Sequence, residues 1–326
     1  MSQGPSPPSR AGFLGLGTMG GPMAGRLLSS GTPLVVHNRD RAKAEPLLAA
    51  GAEWADSPRA VGRAASGGLV FVMVTDIRAV RAVLFGPKGA AAGAAPGTLI
   101  VNLSTIAPEE SRGVAERLGR RGIHYLEAPV AGSLDAAKRG ELIIFAGGEA
   151  ADLARARPSL ERLGRSVEHL GPVGAGASMK LVNNLVMVAT LAADAEAIVL
   201  AEAFGLDPTR AVDLLLAGGG ASKALENKRD AFLRRDYAVR FKLSLADKDL
   251  RLVGRAAREV GARTPLAREA KRLADEAMRA GFADQDLSAM LEAARGRRRG
   301  TPPSGRGPPA PGAEPPPTSE GTPAPR

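Results

Sequence analysis

Ala11-Gly-Phe-Leu-Gly15-Leu16-Gly17-Thr18-Met19-Gly20 carries an apolar stretch into a glycine turn, and a second apolar stretch, Leu34-Val-Val-His37, ends at Asn38-Arg39-Asp40. The spacing is that of a dinucleotide site. In a βαβ unit of this kind the first glycine permits the tight turn, the second lets backbone approach a pyrophosphate, and the third lets helix pack on strand. The order required is present: residues 11–16 read as a buried strand, 22–30 as a helix stopped by Gly31, and 33–38 as the next strand. About 20 residues after such a turn an NAD site presents an acidic side chain to the ribose 2′-hydroxyl. Here Asn38 and Arg39 stand in its place, and an arginine suits a 2′-phosphate, so NADP is the expected cofactor and NAD the alternative. Asp40 reads as the N-cap of a helix over residues 41–48.

Beyond this unit, residues 68–74, 98–103, 124–130, 141–146 and 166–170 read as further strands alternating with helices such as 109–118 and 151–163. Apolar strands separated by helices predict an α/β, Rossmann-type doubly wound parallel sheet covered on both faces. Ligands bind such a sheet at the carboxyl ends of its strands, which adds Val74 and Thr75 to the cofactor-binding set. Near Gly174 the pattern changes. Residues 178–204 form a long apolar helix ending at Gly205, and the rest reads as an all-α domain, with Asp207-Pro208 and Thr264-Pro265 as helix starts and Asp284-Gln285-Asp286 opening the last helix. The expected organisation is an extension over 1–10, a nucleotide-binding domain over 11–173, a helical domain over 174–295 and a disordered Pro/Arg-rich tail over 296–326.

Composition narrows the function. The chain has 326 residues and no cysteine, which removes disulfides and thiolate metal sites and fits a reducing cytoplasm. His37, His124 and His169 are far apart and form no metal-ligand pattern, so no metal is expected. The first ten residues are polar and proline-rich, and no later apolar run reaches membrane-spanning length without interruption, so no membrane association is expected. Much of the net charge of +10 lies in the tail, where residues 295–326 hold six arginines against two glutamates. Its Arg297-Arg298-Arg299 cluster is the one feature compatible with a nucleic-acid contact; a solvated tail in an arginine-rich chain is the preferred reading.

Only nine of the 44 basic residues are lysines, so a lysine in an apolar helix is worth following. In Gly174-Ala-Gly-Ala-Ser-Met-Lys180-Leu-Val-Asn183-Asn184, Lys180 and Asn184 are four residues apart on one face. A helix N-terminus and partial burial both disfavour an ammonium ion, so the Lys180 pKa should be lowered toward neutrality, where a lysine works as an acid or base. The competing reading is a snorkelling lysine beside an ordinary buried amide.

With these residues in view the chain resembles the β-hydroxyacid dehydrogenase family, which includes 3-hydroxyisobutyrate dehydrogenase, tartronate semialdehyde reductase and glyoxylate/succinic semialdehyde reductase. The resemblance spans residues 12–295 and rests on ordered segments: the turn over 15–24, Asn-Leu-Ser-Thr at 102–105, Glu-Ala-Pro-Val-Ala-Gly-Ser at 127–133, the Lys180 segment, and Asp247-Lys248-Asp249-Leu250. It implies that Lys180 is the catalytic lysine and Asn184 its polar companion, and that Thr105 lies between cofactor and substrate. Ala131, Gly132 and Ser133 resemble the cradle for a substrate carboxylate. Lys248 resembles a cofactor contact, and Phe241 and Asp249 line up with late active-site positions; an exposed helix pair is the alternative for Lys248 and Asp249. Two positions depart from the pattern. Ala131 stands where the family has serine, removing a hydroxyl that Ser133 would replace, and Arg26 stands where asparagine is frequent.

Ser133 and the Asn38-Arg39 pair favour the NADPH-dependent glyoxylate/semialdehyde-reductase branch, acting on a small carboxylate-bearing aldehyde or keto acid. NAD-linked 3-hydroxyisobutyrate oxidation is the alternative. Lys180 argues against an imine reductase. A non-catalytic cofactor-binding or nucleic-acid-associated protein is the rival from another class. Family resemblance also implies a homodimer or homotetramer.

Overall fold

The computed structural model describes residues 10–296. The extension over 1–9 and the tail beyond 296 lie outside the described residues; Arg10, counted with the extension, pairs with Glu53 at 2.7 Å. The chain begins with β1 (Ala11–Leu14), α1 (Gly20–Ser29), β2 (Leu34–His37), α2 (Glu45–Ala49), β3 (Glu53–Trp54) and α3 (Pro58–Ala64). It continues through β4 (Leu69–Val72), α4 (Ile77–Phe85), β5 (Leu99–Asn102), α5 (Pro108–Gly119) and β6 (His124–Glu127). These six strands form one parallel sheet in the order β3-β2-β1-β4-β5-β6, with the chain reversing direction across the sheet between β1 and β4.

Register brings the strand ends flush. Leu14 lies beside both His37 and Val72, and Val72 lies beside Asn102, so the turns after β1, β2, β4 and β5 open on one edge. Successive side chains point to opposite faces. Phe13, Phe71 and Val101 therefore pack in one apolar layer with Met23 and Leu27 of α1, while Leu14, Val72 and Ile100 pack in the other with Val80 and Leu84 of α4 and Val114 of α5. Burial of each such side chain contributes about 1.5–3 kcal/mol, which holds the edge rigid from both sides.

The segment expected as one strand over 124–130 is two. Pro129 lacks an N–H and restricts the residue before it, so the β6 ladder ends, and β7 (Val130–Ala131) joins a second sheet. There it runs antiparallel to β8 (Leu142–Ala146), after α6 (Leu134–Arg139); α7 (Ala150–Leu163) then leads to β9 (Gly164–His169), parallel to β8. A single sheet is thus corrected to six parallel strands plus three mixed ones. The two-residue β3 carries too little periodicity to be read from sequence.

The helical half opens with α8 (Ala175–Ala203), followed by α9 (Pro208–Ala217), α10 (Lys223–Arg234), α11 (Leu243–Glu259), α12 (Pro265–Ala277) and α13 (Met290–Ala294). Asp207 and Ser222 cap α9 and α10 with side-chain oxygens, but Thr264 makes no such bond at α12. By length and composition alone α8 could cross a membrane, but Lys180, Asn183, Asn184, Asp194 and Glu196 interrupt its apolar run, as expected from the sequence. Its Leu181, Val188, Leu191, Ala195 and Ile198 instead pack with Leu225, Phe232, Leu250, Leu273 and Leu291 of the neighbouring helices in one core. Arg255 on α11 ties the two halves by pairing with Glu109 and Glu110 of α5 at 2.7 and 2.6 Å.

Candidate active site

The glycine turn sits where β1 meets α1. Gly15 has φ +96°, a left-handed conformation that favours glycine, and a side chain there would collide with the Met73 carbonyl. A Cβ on Gly20 would collide with the Gly15 carbonyl, so α1 approaches the strand as closely as backbone allows. Gly17, between them, faces open space. The first turn of α1 has neither a side-chain cap nor an acidic residue, and Thr18 at its mouth is exposed. An uncapped helix start facing an open glycine shelf accepts a pyrophosphate, so these residues fit a nicotinamide dinucleotide.

Asn38 and Arg39 divide their tasks. The Leu16 N–H donates to Asn38 Oδ1 at 3.0 Å, and Asn38 Nδ2 donates to the Asp40 carbonyl at 2.9 Å, so this amide braces the glycine turn against the end of β2. Arg39 is exposed, whereas Arg41 lies over the Trp54 ring at 5.4 Å. Asp40 caps the turn after β2 by accepting from Ala42 N, which begins a 3-10 turn over Arg41–Ala44 before α2.

Along the edge, Val74 N donates to Ser104 Oγ at 2.9 Å, joining the loops after β4 and β5. Lys248, from α11, donates to the carbonyls of Thr75 and Thr105 at 3.0 and 2.7 Å. Its ammonium is therefore a clamp between the helical half and both loops. Asp249 beside it is 2% exposed, which rules out an exposed helix pair.

Lys180 lies in the second turn of α8. Asn184, one turn on and 1% exposed, donates to Asp249 Oδ2 at 2.5 Å and accepts from Asn183 on its own oxygen. Asp249 Oδ1 lies 3.0 Å from Lys248 Nζ. Burial lowers the Lys180 pKa to about 8; Asp249 opposes this by favouring the ammonium form, and Lys248 adds to the lowering. The structure thus brings Lys180, Asn184, Asp249, Lys248, Thr75 and Thr105 into one cluster. A cleft of about 970 Å³ borders Thr105 and Lys248 between the two halves.

The remaining expected residues approach from other elements. Ala131 belongs to β7, paired with Ile143; Gly132 is exposed with φ +143°, and Ser133 Oγ caps α6 by accepting from Ala136 N at 3.1 Å. The Ser133 hydroxyl proton stays free to donate. Phe241, half-buried before α11, is held through its N–H by Asp286 Oδ2 at 2.9 Å, and Asp286 is itself clamped by Lys228 at 2.7 Å. Attraction to Lys228 and bonds from backbone N–H groups keep the Asp286 carboxyl below its ordinary range despite burial. Arg39 stands apart at the far end of the edge, two strands from β4. Arg26 donates to the Arg162 carbonyl at 3.1 Å, tying α1 to α7. Sequence reasoning missed Ser104, which only strand register places against Val74, and gave no role to Glu127, whose carboxylate accepts from Gly174 N and Ala177 N at the start of α8.

A dinucleotide shelf, an adjoining lysine cluster and a helical half closing over both define an NAD(P)-dependent oxidoreductase acting on alcohol or aldehyde groups. A family model described as the NAD binding domain of 6-phosphogluconate dehydrogenase matches residues 10–171, and one described as NAD-binding of NADP-dependent 3-hydroxyisobutyrate dehydrogenase matches residues 174–294. The chain is 36% identical over 282 residues to glyoxylate/succinic semialdehyde reductase 2 of Arabidopsis thaliana, covering 86% of this chain and 78% of that one. The crystal structure of 3-hydroxyisobutyrate dehydrogenase from Salmonella typhimurium superposes with a TM-score of 0.80 at 30% identity, covering 87% of this chain and 99% of that one. A structure of Psf3 in complex with NADP+ and 2-OPP gives a TM-score of 0.80 at 30% identity, covering 86% and 99%. The chain belongs to the β-hydroxyacid dehydrogenase family.

Proposed function

We propose that this enzyme is an NADPH-preferring reductase of small carboxylate-bearing aldehydes or keto acids, of which glyoxylate and succinic semialdehyde are the types, with Lys180 as general acid. The observation that carries the reading is the Lys180 cluster. The Lys180 residue is partly exposed, its ammonium has its pKa lowered to about 8 by burial, and the Asn184–Asp249 pair stands beside it. The reduced nicotinamide, when bound, supplies the hydride that reaches the carbonyl carbon. Lys180 Nζ gives its proton to the carbonyl oxygen as that oxygen gains charge, and in the reverse direction its neutral amine takes the alcohol proton. The bonds from Lys248 to the Thr75 and Thr105 carbonyls hold the cofactor side of the site together. The Ser133 hydroxyl donates to the substrate carboxylate in place of the hydroxyl that Ala131 lacks, while Phe241 and Asp249 line the substrate side.

Exposed Arg39 at the end of β2, where an acidic residue would select NAD, supports NADPH. A stripe of exposed Met179, Val182, Val186, Leu200 and Phe204 along α8 supports a homodimer or homotetramer. Absence of cysteine supports a cytoplasmic setting.

The test is NADPH oxidation with glyoxylate, succinic semialdehyde, tartronate semialdehyde and methylmalonate semialdehyde, in wild type and Lys180→Ala. Turnover of at least one aldehyde that Lys180→Ala abolishes supports the reading; near-normal turnover by a folded Lys180→Ala protein overturns it. Likeness to the Salmonella enzyme favours 3-hydroxyisobutyrate oxidation as a second reading. A preference for NAD with that alcohol would select it.

A further inference from the structure

The start of α8 is held by a carboxylate from another element. Glu127, at the end of β6, is 1% exposed; its Oε1 accepts from Gly174 N at 2.8 Å and from Ala177 N at 3.1 Å. Gly174 has φ +107° and offers α8 no side-chain cap, so Glu127 takes that role from 47 residues away. Its other oxygen accepts from Ser111 Oγ of α5. From Ser111 a buried chain leads back to the cofactor edge. Ser111 Oγ lies 2.9 Å from Tyr125 OH, and Asn102 Nδ2 donates to Tyr125 OH at 3.0 Å. Ser104 N then donates to Asn102 Oδ1 at 3.2 Å, and Val74 N donates to Ser104 Oγ at 2.9 Å.

Each hydroxyl has one proton, so the chain has a direction. Asn102 Oδ1 must accept from the Ser104 backbone, which leaves Nδ2 as donor to Tyr125. Ser111 spends its one proton on Glu127, so the bond between Ser111 and Tyr125 is donated by Tyr125. With Glu127 accepting on both oxygens, as a carboxylate does, all four bonds at Glu127 and Ser111 are met. Burial raises the pKa of Glu127 and of Tyr125, which keeps the phenol protonated; the bonds from Ser111 and from the backbone at Gly174 and Ala177 favour the Glu127 anion.

We propose that Glu127 is a positioning residue that, through Ser111, Tyr125, Asn102 and Ser104, holds the first turn of the Lys180 helix in register with the Val74–Thr75 loop. Proton donor and cofactor loop are then parts of one hydrogen-bonded frame. A second tie on the opposite flank, Lys248 to Thr75 and Thr105 with Asp249 to Asn184, reaches α8 two turns further on. The two ties together resist both sliding and tilting of α8. This inference rests on the reading of Lys180 as the proton donor.

The test uses the full chain, with Glu127→Gln and Tyr125→Phe. Amide hydrogen exchange of the enzyme without ligands is followed for segments 72–76 and 172–180, and kcat and KM are measured for NADPH and aldehyde. Glu127→Gln is expected to speed exchange in segment 172–180 and lower kcat by about tenfold, with aldehyde KM changed by less than about threefold. Tyr125→Phe leaves the Glu127 bonds to α8 intact but cuts the chain, so exchange rises in 72–76 and stays at the wild-type rate in 172–180. Wild-type exchange at 72–76 in Tyr125→Phe overturns the proposal, as does a Glu127→Gln protein with unchanged kcat. If Glu127→Gln does not fold, Tyr125→Phe decides alone. Exchange needs no turnover, so a failure of the Lys180 reading leaves these exchange results standing and is told apart from a failure of the frame.

Discussion

Asn184 Nδ2 donates to Asp249 Oδ2 at 2.5 Å, joining α8 to α11 across 65 residues of sequence in a site closed to water. The bond commits one carboxyl oxygen of Asp249 to the asparagine, while the other faces Lys248 at 3.0 Å and the group stands near Lys180. Asp249 is the influence that holds the Lys180 pKa up at about 8 against burial. Asp249→Asn is therefore expected to shift the limb to lower pH by about one unit. With Lys180 as the proposed proton donor, reduction needs the ammonium form, so kcat/KM in that direction falls above about pH 8 in wild type and earlier in the variant. Oxidation needs the amine, so its rising limb moves the same way. A pH–rate profile in both directions checks it, and a limb that stays in place contradicts it.

Under the proposed NADPH reading, Arg39 and Asn38 make different contributions to cofactor binding. Arg39→Ala should reduce kcat/KM with NADPH by about 10- to 100-fold and change that with NADH by less than about threefold, because only the 2′-phosphate loses a partner. Parallel initial-rate measurements with the two cofactors decide it. Equal losses would mean that Arg39 does not read the phosphate.

Asn38→Ala should weaken both cofactors alike, by about five- to tenfold, because its amide braces the Leu16 N–H and the Asp40 carbonyl rather than the ribose. Fluorescence titration of NADPH and NADH measures this. A loss confined to NADPH would place Asn38 on the phosphate instead.

Asp194, on α8, is 7% exposed with Oδ2 unpartnered, and burial raises its pKa from 3.8 to about 6. Because the folded value lies above the unfolded one, the stability it contributes is present below about pH 4 and is lost as pH rises through about 6. Asp194→Asn removes this titration. Its Tm should equal wild type near pH 4 and exceed it at pH 8, by the equivalent of at most about 3 kcal/mol. Thermal melts at the two pH values test it; equal Tm at pH 8 would show that Asp194 is ionised at no cost.

Local sequence carried the nucleotide-binding half. Gly15, Gly17 and Gly20 are legible because each is required by backbone alone: a left-handed φ, an open shelf and a close helix approach. Lys180 was legible because an ammonium ion is out of place in an apolar helix. The break at Pro129 was missed because two short apolar strands in different sheets have the same alternation as one longer strand. The start of α8 at Ala175 rather than Ser178 was missed for another reason. Gly174-Ala-Gly-Ala has no local cap, and its cap is Glu127, supplied by a distant strand.

By itself the sequence determined the fold class, the glycine turn and the order of the elements, because turn geometry, helix spacing and apolar periodicity act over a few residues. Only the tertiary structure decided what those side chains do for one another. It set Lys248 on the Thr75 and Thr105 carbonyls, gave Asp249 to Asn184, and tied Glu127 to the Lys180 helix. Such pairings depend on strand register and helix packing between segments far apart in the chain. Hydrogen bonds act over about 3 Å, a distance that only the assembled core can set.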